Sequence, residues 1–278
     1  MTLTAGQFLR LRALALERLG IEIHDRQRPT LDRRACRMGL AGTAARERFL
    51  TGAESGDPDS AHQLVSLVTT SHTAFFRNPY HFDLAAEHLL WASHRRGRAA
   101  AWSAAVSTGE ELWSLAIRLA EMTGRRGGPV ELLGSDADAA ALARAERGEY
   151  SRASLETLET GRRGCFFHHP PSARGSLRIQ DSLRQSVSFR IHNLIEPGWN
   201  LGGPFDVIFC RNVLMYLSRG HRRRVVERLR GALARDGLLL LDPSEHLGAA
   251  ADHFCGGRNG VFQPAPLSSN PQRIPPSP

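Results

Sequence analysis

Lysine is absent from this chain. All 36 residues that carry a permanent positive charge are arginines, and with 28 aspartates and glutamates they give a formal net charge of +8. Because a guanidinium group does not deprotonate at physiological pH, this charge is fixed. It favours acidic partners such as nucleic acid, an anionic membrane face or an acidic protein surface. An arginine-rich composition spread over a solvated surface explains the same charge equally well, so charge alone does not identify a partner.

Long apolar runs are lacking as well, and none could span a bilayer. The first 20 residues carry arginines and a glutamate, without the apolar block and cleavage site of a signal peptide. We therefore expect a cytoplasmic protein. Cysteine is sparse, with four scattered residues and no paired spacing of the zinc or redox kind. We expect reduced thiols and no metal site, since the adjacent His168 and His169 have no second group of ligands nearby in the sequence.

Residues 1–75 are predicted to form a small, basic helical domain. Apolar residues from Phe8 to Leu19 recur at steps of three and four, and Gly20 ends that helix. The stretch GAESGDPDS is interpreted as a loop, and AHQLVSLVTT as a further helix. We find no catalytic cluster in this region.

Residues 76–262 are predicted to form an α/β domain with a doubly wound, Rossmann-like sheet. Strands are predicted at AAAWSAA, PVELLGSD, GPFDVIFCRN and LLLLD, and helices at ELWSLAIRLAEMTG, ADAAALARAERGEY and RGHRRRVVERLRGALARDG. Such alternation is typical of a parallel sheet covered on both faces. At about 151–191 the alternation stops, and short β-prone runs predict a small inserted antiparallel subdomain. Residues 263–278 are rich in proline and serine and are predicted to be disordered.

The stretch WSAAVSTGEELWSLAIRLAE combines a strand, a turn and a helix, as a nucleotide-binding unit does. Phosphate-binding turns of this kind are rich in glycine and offer backbone N–H groups to the anion. Here the turn has only Gly109, followed by Glu110 and Glu111. These carboxylates suit the positive end of the helix dipole but would repel a pyrophosphate. The turn therefore favours a cationic cofactor without phosphate, and S-adenosylmethionine, with its sulfonium and ammonium groups, fits.

The ribose of such a cofactor needs an acceptor at the end of the second strand, about 20 residues or more beyond the turn. Asp136 stands there, 26 residues after Glu110. An alternative assigns Glu110 to the helix start and Asp136 to the cap of the next helix, with no ligand. Either carboxylate alone favours that alternative. Together, after consecutive predicted strands, they favour a cofactor site.

Four segments, in this order, resemble signature segments of the CheR family: TTSHTAFFRNPYHF, WSAAVSTGEELWSLAIRLAE, GSDADAAALARAERGEYS and FDVIFCRNVLMYLS. Members of this family are S-adenosylmethionine-dependent methyltransferases that esterify glutamate side chains of bacterial chemotaxis receptors. The resemblance extends from the helical domain to about residue 247. It implies a helical N-terminal domain, a cofactor-binding α/β domain and an inserted β-subdomain, which contributes receptor docking in the family.

The resemblance also implies site residues. The positions that match family cofactor contacts are Ser71, Thr73, Arg77, Glu110, Asp136, Asn193, Leu194, Arg211 and Asn212. Glu110 would contact the methionine end of the cofactor, and Asp136 would contact its ribose. Asn193 and Leu194 would border its adenine. Arg211 is the candidate that orients the acceptor carboxylate, with Tyr216 as a second one. The family commonly has asparagine where Ser71 stands, and it often has GHSE where this chain has Asp242 and Pro243 in DPSE.

A glutamate side chain has a pKa near 4.3 and is already a nucleophile at neutral pH, so alignment is needed rather than a general base. We expect the basic helical domain to seat glutamate-rich receptor helices through Arg26, Arg28, Arg33, Arg34 and Arg37. We expect a monomer that neither binds nucleic acid nor inserts into membranes. Two alternatives stay open. One is a methyltransferase for another substrate, although the aromatic-flanked Pro-Pro dipeptide of base-amine methylation is lacking. The other is a non-catalytic S-adenosylmethionine-binding signalling module.

Overall fold

The computed structural model describes residues 2–69, 73–124, 129–170 and 175–266. Its first segment is helical, with α1 Ala5–Leu19, α2 Arg28–Arg37, α3 Thr43–Ser55 and α4 Pro58–Val68. Thr4 caps α1, and Gly20 ends it in the left-handed region with a φ of 68°. Leu11, Leu50 and Leu64 belong to a hydrophobic core that these helices share.

The loop predicted at GAESGDPDS is mostly helix, so that prediction is wrong. α3 continues to Ser55 and α4 already begins at Pro58. Asp57 starts α4, because its carboxylate accepts a hydrogen bond of 2.9 Å from the backbone N–H of Ser60. A Cβ on Gly52 would lie 2.2 Å from the Ser60 hydroxyl oxygen, so glycine here allows close helix packing. Glycine, serine and aspartate mark a tight helix–helix corner at this point.

The remainder of the described chain alternates strands with helices. In chain order its elements are α5 Pro79–Arg96, β1 Ala99–Ala104, α6 Glu110–Thr123, β2 Val130–Asp136, α7 Ala139–Arg147, β3 Glu149–Ser151, α8 Thr160–Phe166, β4 Phe167–His168, β5 Ser176–Ile179, α9 Asp181–Arg184, β6 Val187–Ile191, β7 Phe205–Phe209, α10 Arg219–Ala232, β8 Leu233–Leu240, β9 Phe254–Gly256 and β10 Val261–Pro264. None of the helices in the described part of the chain is long and apolar enough to cross a bilayer.

The main sheet has the strand order β6-β2-β1-β7-β8-β10-β9. The five neighbouring strands β6, β2, β1, β7 and β8 run parallel. At one edge β10 pairs antiparallel with β8, and β9 pairs antiparallel with β10. Successive residues of β7 enter different cores. Val207 and Phe209 pack with α5 and α6, whereas Ile208 packs with α10. Both faces of the sheet are therefore covered, which confirms the predicted Rossmann-like fold.

A second, antiparallel sheet has the order β3-β5-β4, as predicted for a small subdomain. Its strands lie within residues 149–179. The predicted excursion extended to 191, but β6 pairs in parallel with β2 and belongs to the main sheet. Because β6 is an edge strand with mostly half-buried or exposed residues, its sequence lacks the apolar run of a central strand.

Two boundaries near the C-terminus also differ from the predictions. The helix expected to run to Gly237 ends at Ala232, because Leu233 already pairs with Phe205 at the start of β8. The disordered tail was expected from residue 263, but Gln263 and Pro264 pair with β9. Residues 267–278 lie outside the described residues.

Candidate cofactor site

A cavity with about 940 Å³ of empty space lies beyond the carboxyl ends of β1, β2 and β7. Strand β1 pairs with β2 on one side and with β7 on the other, so the chain reverses its winding direction here. Open α/β sheets bind ligands at such a point. Leu19, Ile21, Val68 and Thr69 complete the wall from the helical segment.

The turn after β1 uses its backbone N–H groups internally. Those of Ala105 and Val106 donate to the carbonyl of Ser135, both at 2.8 Å. That of Ser107 donates to Asp136 Oδ2 at 2.7 Å. A phosphate-binding turn would direct these groups at its ligand. With these N–H groups engaged, the turn presents the Asp136 carboxylate that it holds rather than backbone donors, in agreement with a cofactor that lacks phosphate.

Gly109 is required in this turn for two reasons. Its φ is 94°, which L-residues with a side chain rarely adopt. A Cβ at this position would also lie 2.8 Å from Ala145 Cβ on α7 and 3.0 Å from the Tyr150 hydroxyl. That hydroxyl donates a hydrogen bond of 2.7 Å to the carbonyl of Thr108 and so holds the turn in this conformation. One glycine is thus enough for the fold of the turn.

Asp136 ends β2 and lines the cavity. Its Oδ1 accepts a hydrogen bond of 2.9 Å from the backbone of Asp138, in addition to the bond from Ser107. Burial raises the pKa of Asp136, and these backbone hydrogen bonds oppose the rise. The cap of α7 is Asp138, which accepts from the N–H groups of Ala140 and Ala141. The alternative in which Asp136 caps this helix is therefore wrong.

Glu110 opens α6 behind the turn. Its carboxylate accepts a hydrogen bond of 2.7 Å from the Thr108 hydroxyl, and burial raises its pKa. Glu110 is not among the residues that line the cavity. Its carboxylate contacts the turn at Thr108 rather than the cavity wall.

Arg211 and Glu111 form a buried ion pair beside the cavity. Arg211 Nε lies 2.5 Å from Glu111 Oε2, with side chains only 4% and 11% exposed. The second Glu111 oxygen accepts a hydrogen bond of 2.7 Å from the Ser103 hydroxyl, and Arg211 Nη1 donates at 2.6 Å to the carbonyl of Arg77. The Arg211 guanidinium is therefore engaged largely within the protein. Sequence reasoning had placed Glu111 only at the helix start and had not identified this pair.

The departure from the family's GHSE segment makes contacts of its own. Asp242 Oδ2 lies 3.2 Å from Arg77 Nη2, and Asp242 Oδ1 accepts from the hydroxyl and N–H of Ser244. Burial opposes ionisation of Asp242, but these hydrogen bonds and the Arg77 charge outweigh it and lower the pKa. Glu245 Oε2 accepts a bond of 2.6 Å from the backbone of Asn212. Asn212 has a φ of 58°, so Glu245 holds the strand end in a left-handed conformation.

The helical segment reaches the cavity through several contacts. Asn193 Nδ2 donates a hydrogen bond of 2.8 Å to the carbonyl of Arg18 at the end of α1. The N–H of Glu22 donates to the carbonyl of Tyr216 at 3.0 Å. His192, which the sequence interpretation did not select, also lines the wall, and its ring lies edge-on to Trp102. Its position before Asn193 was the only available sequence signal.

The structure brings most predicted site residues to one cavity. The predicted residues on its wall are Asp136, Asn193, Leu194, Arg211, Asn212 and Tyr216. Thr73 and Arg77 are described but are not on that wall, and Ser71 lies outside the described residues. Among the residues missed were Ser107 and Glu111, which hold Asp136 and Arg211 in place.

A cavity lined by Asp136 and Asp138 at the switch point of a Rossmann-like sheet, beside a turn whose N–H groups are engaged internally, fits an S-adenosylmethionine-dependent methyltransferase. Comparison with known proteins narrows this class. Residues 71–257 match the family described as CheR methyltransferase, SAM binding domain. The chain belongs to this CheR family.

Similar proteins cover most of the chain. The chemotaxis protein methyltransferase of Klebsiella aerogenes is 35% identical over 258 residues, which are 91% of this chain and 88% of that protein. The protein of the same description from Salmonella typhimurium is 34% identical, with the same coverage of both chains. That of Escherichia coli is 33% identical over 88% of this chain and 86% of its own length.

Proposed function

We propose that this chain is a cytoplasmic protein-glutamate O-methyltransferase that forms γ-glutamyl methyl esters on chemotaxis receptors. Membership of the CheR family supports the methyltransferase class. The relatives named as chemotaxis protein methyltransferases support a receptor substrate. The ester-forming chemistry rests on the acidic cavity and on the requirements of the acceptor.

The observation that carries the proposal is the Asp136 carboxylate on the cavity wall, held by Ser107 and Asp138. Each carboxylate oxygen has two lone pairs and one backbone donor here, so both retain capacity for ribose hydroxyls. Leu194 and Ile195 give the same wall an apolar surface that suits an adenine. The donors and acceptors of this cavity thus fit S-adenosylmethionine, which supplies an electrophilic methyl group when bound.

We assign the remaining contacts as follows. Asn193 and Leu194 border the adenine, and Thr73 and Arg77 hold the methionine end. Glu110 attracts the cationic end through its negative charge from behind the turn. Arg211, held by Glu111, positions the Arg77 carbonyl and the strand end rather than reaching out to the acceptor.

The acceptor needs alignment and no general base. A glutamate carboxylate is ionised at neutral pH, and correct alignment supplies several kcal/mol of the barrier. Tyr216 lies on the cavity wall in a 3-10 turn, Leu214–Tyr216, that follows β7. Its hydroxyl is the donor that we assign to the acceptor carboxylate. Because a phenol does not neutralise the carboxylate, it orients the nucleophile without masking its charge.

The helical segment supplies the receptor-contacting surface in this proposal. Of the arginines expected to seat a glutamate-rich helix, Arg28 and Arg34 instead donate to backbone carbonyls of Leu3 and Thr69. The exposed positions that remain for docking are Arg26, Arg33 and Arg37. We propose this smaller set, Arg26 in the 3-10 turn before α2 and Arg33 and Arg37 on α2, as the docking face.

The proposal is tested by incubating the protein with methyl-labelled S-adenosylmethionine and chemoreceptor-containing membranes. Label released as methanol on base treatment is the expected result, because methyl esters are base-labile and methyl amides and amines are not. Asp136→Asn is the matched control, which should transfer less label at the same subsaturating cofactor concentration. Label transferred instead to RNA or DNA would overturn the receptor assignment. Tight cofactor binding by calorimetry without ester on any receptor preparation would identify a non-catalytic signalling module.

A further inference from the structure

A basic groove adjoins the cofactor cavity. It runs between α10 and the segment that follows α1, and Tyr216 and Leu217 line both the groove and the cavity. Its charged or titratable lining residues are Glu22, His24, Arg219, Arg222, Arg223 and His246. Among the described residues, three arginines and one carboxylate therefore line the groove beside Tyr216 and Leu217.

The arginines of this groove, from the start of α10, have different tasks. Arg222 donates from Nε to the carbonyl of Leu214 at 2.8 Å and from Nη2 to that of Leu217 at 3.3 Å. It therefore holds the turn that carries Tyr216. Arg219 is exposed, and Arg223 forms an i,i+4 pair with Glu227 while 64% of its side chain is exposed. Such a surface pair is weak, so Arg223 can exchange its partner for an incoming acid at little cost.

A second basic surface, on α2, approaches the cavity that Tyr216 lines. Arg34 of α2 donates a hydrogen bond of 2.6 Å to the carbonyl of Thr69, which lines the same cavity. The exposed Arg33 precedes Arg34, and the exposed Arg37 lies one turn further along α2. Tyr216 therefore lines both a cavity approached by α2 and a groove lined by arginines of α10. The α2 set follows from the sequence, whereas the α10 set becomes apparent only when the fold places it beside the cavity.

We infer that the α10 groove seats the acidic acceptor segment next to its reacting glutamate. This inference rests on the proposed function and assigns a substrate contact to the same site. A glutamate-rich helix brings carboxylates one turn from the reacting one, and these need cationic neighbours on the enzyme. Arg219 and Arg223 supply them, while Met215, 48% exposed on the same rim, offers an apolar contact to such a helix.

The lining of the groove favours a protein segment over nucleic acid. Single-stranded nucleic acid is bound by successive aromatic rings on which bases stack, together with a basic track. Within the described residues the groove has one phenol ring, Tyr216, which it shares with the cavity. Arginine side chains beside an apolar methionine match an amphipathic acidic helix better.

The test compares two double charge reversals. Arg219→Glu with Arg223→Glu removes the free charges of the groove and leaves Arg222 in place. Arg224→Glu with Arg235→Glu makes the same change in net charge at exposed positions outside the groove. We expect the groove variant to raise KM for receptor membranes about tenfold, with kcat and cofactor Kd changed less than about twofold. We expect the control to keep all three values within about twofold of the parent protein.

Poly-L-glutamate gives a readout that does not require catalysis. The parent protein should bind it in calorimetry at fixed ionic strength, and the groove variant should bind about tenfold more weakly than the control. Equal poly-L-glutamate affinity in both variants overturns the inference, whether or not esters form. If the parent protein forms no ester but the groove variant still binds poly-L-glutamate more weakly than the control, the proposed function fails and the assignment of the basic groove to an acidic segment stands. Loss of RNA or DNA binding in the groove variant, with poly-L-glutamate unaffected, would make nucleic acid the occupant.

Discussion

Arg211 and Glu111 are 100 residues apart in the sequence, and their side chains form a buried ion pair with 2.5 Å between Arg211 Nε and Glu111 Oε2. Removing one charge of a buried pair leaves the other without compensation, which costs about 3–5 kcal/mol. We expect Glu111→Gln to lower the free energy of unfolding by about that amount. Urea denaturation followed by circular dichroism measures the change.

The surface pair Arg223–Glu227 is the control for this prediction. Glu227→Gln breaks an i,i+4 pair that is exposed to solvent, and we expect a loss of only about 0.3–0.5 kcal/mol. If both variants destabilise equally, the buried pair does not have the structural role that its contacts indicate.

Asp136 and Asp138 are separated by one residue, and we expect them to differ in function. Asp136→Asn removes a carboxylate charge from the cavity wall, and charged hydrogen bonds are worth about 1.5–3 kcal/mol. We therefore expect cofactor Kd to rise by roughly ten- to a hundredfold. Asp138→Asn keeps a good helix cap and should change Kd by less than about threefold. Isothermal titration with S-adenosylmethionine and with S-adenosylhomocysteine separates the two variants, and equal losses would show that Asp136 has no special contact.

Arg77 and Asp242 are expected to act as a unit. Asp242→Asn and Arg77→Ala should each lower kcat/KM, and the double variant should lose no more than Arg77→Ala alone, because residues in contact are not additive. A double-mutant cycle on ester formation measures the coupling. Asp236→Asn, whose partner Arg96 lies at 3.1 Å at the opposite end of the strands, serves as control. Additive losses would mean that Asp242 does not position Arg77.

The pH dependence of cofactor binding follows from Glu110 and Asp136. Burial raises the pKa of both. Each carboxyl therefore favours folding below the ordinary carboxyl pKa of about 4, and that contribution is lost as pH rises through the raised value. A cationic cofactor prefers the ionised form, so its affinity should increase over the same pH window with release of protons.

Calorimetry in two buffers of different ionisation enthalpy counts these protons. Asp136→Asn and Glu110→Gln should each flatten the pH dependence of Kd. An affinity that falls with rising pH would contradict the acidic assignment of the cavity.

The sequence predicted the sheet because central strands such as β1 and β7 are continuous apolar runs between helical periods. The sequence prediction failed at β6, because the edge position of this strand leaves its residues exposed. It also failed at the connection of α3 and α4, because Gly52 allows the two helices to pack closely and does not mark a loop. At the site, Asp136 was predictable from its distance to the turn. The Ser107 N–H bond, the Arg211–Glu111 pair and the α10 groove were not, because each joins groups that only the finished fold brings together.

The cavity wall is contributed partly by the sheet and partly by α1 and α4, through Leu19, Ile21, Val68 and Thr69. A ligand in this cavity contacts both parts of the chain. Its binding free energy therefore stabilises the attachment of the N-terminal helices to the α/β domain. If the receptor contacts that we propose on these helices alter cofactor affinity, reciprocity requires that the cofactor alters receptor affinity by the same factor. Amide hydrogen exchange in α1 should therefore slow on cofactor addition.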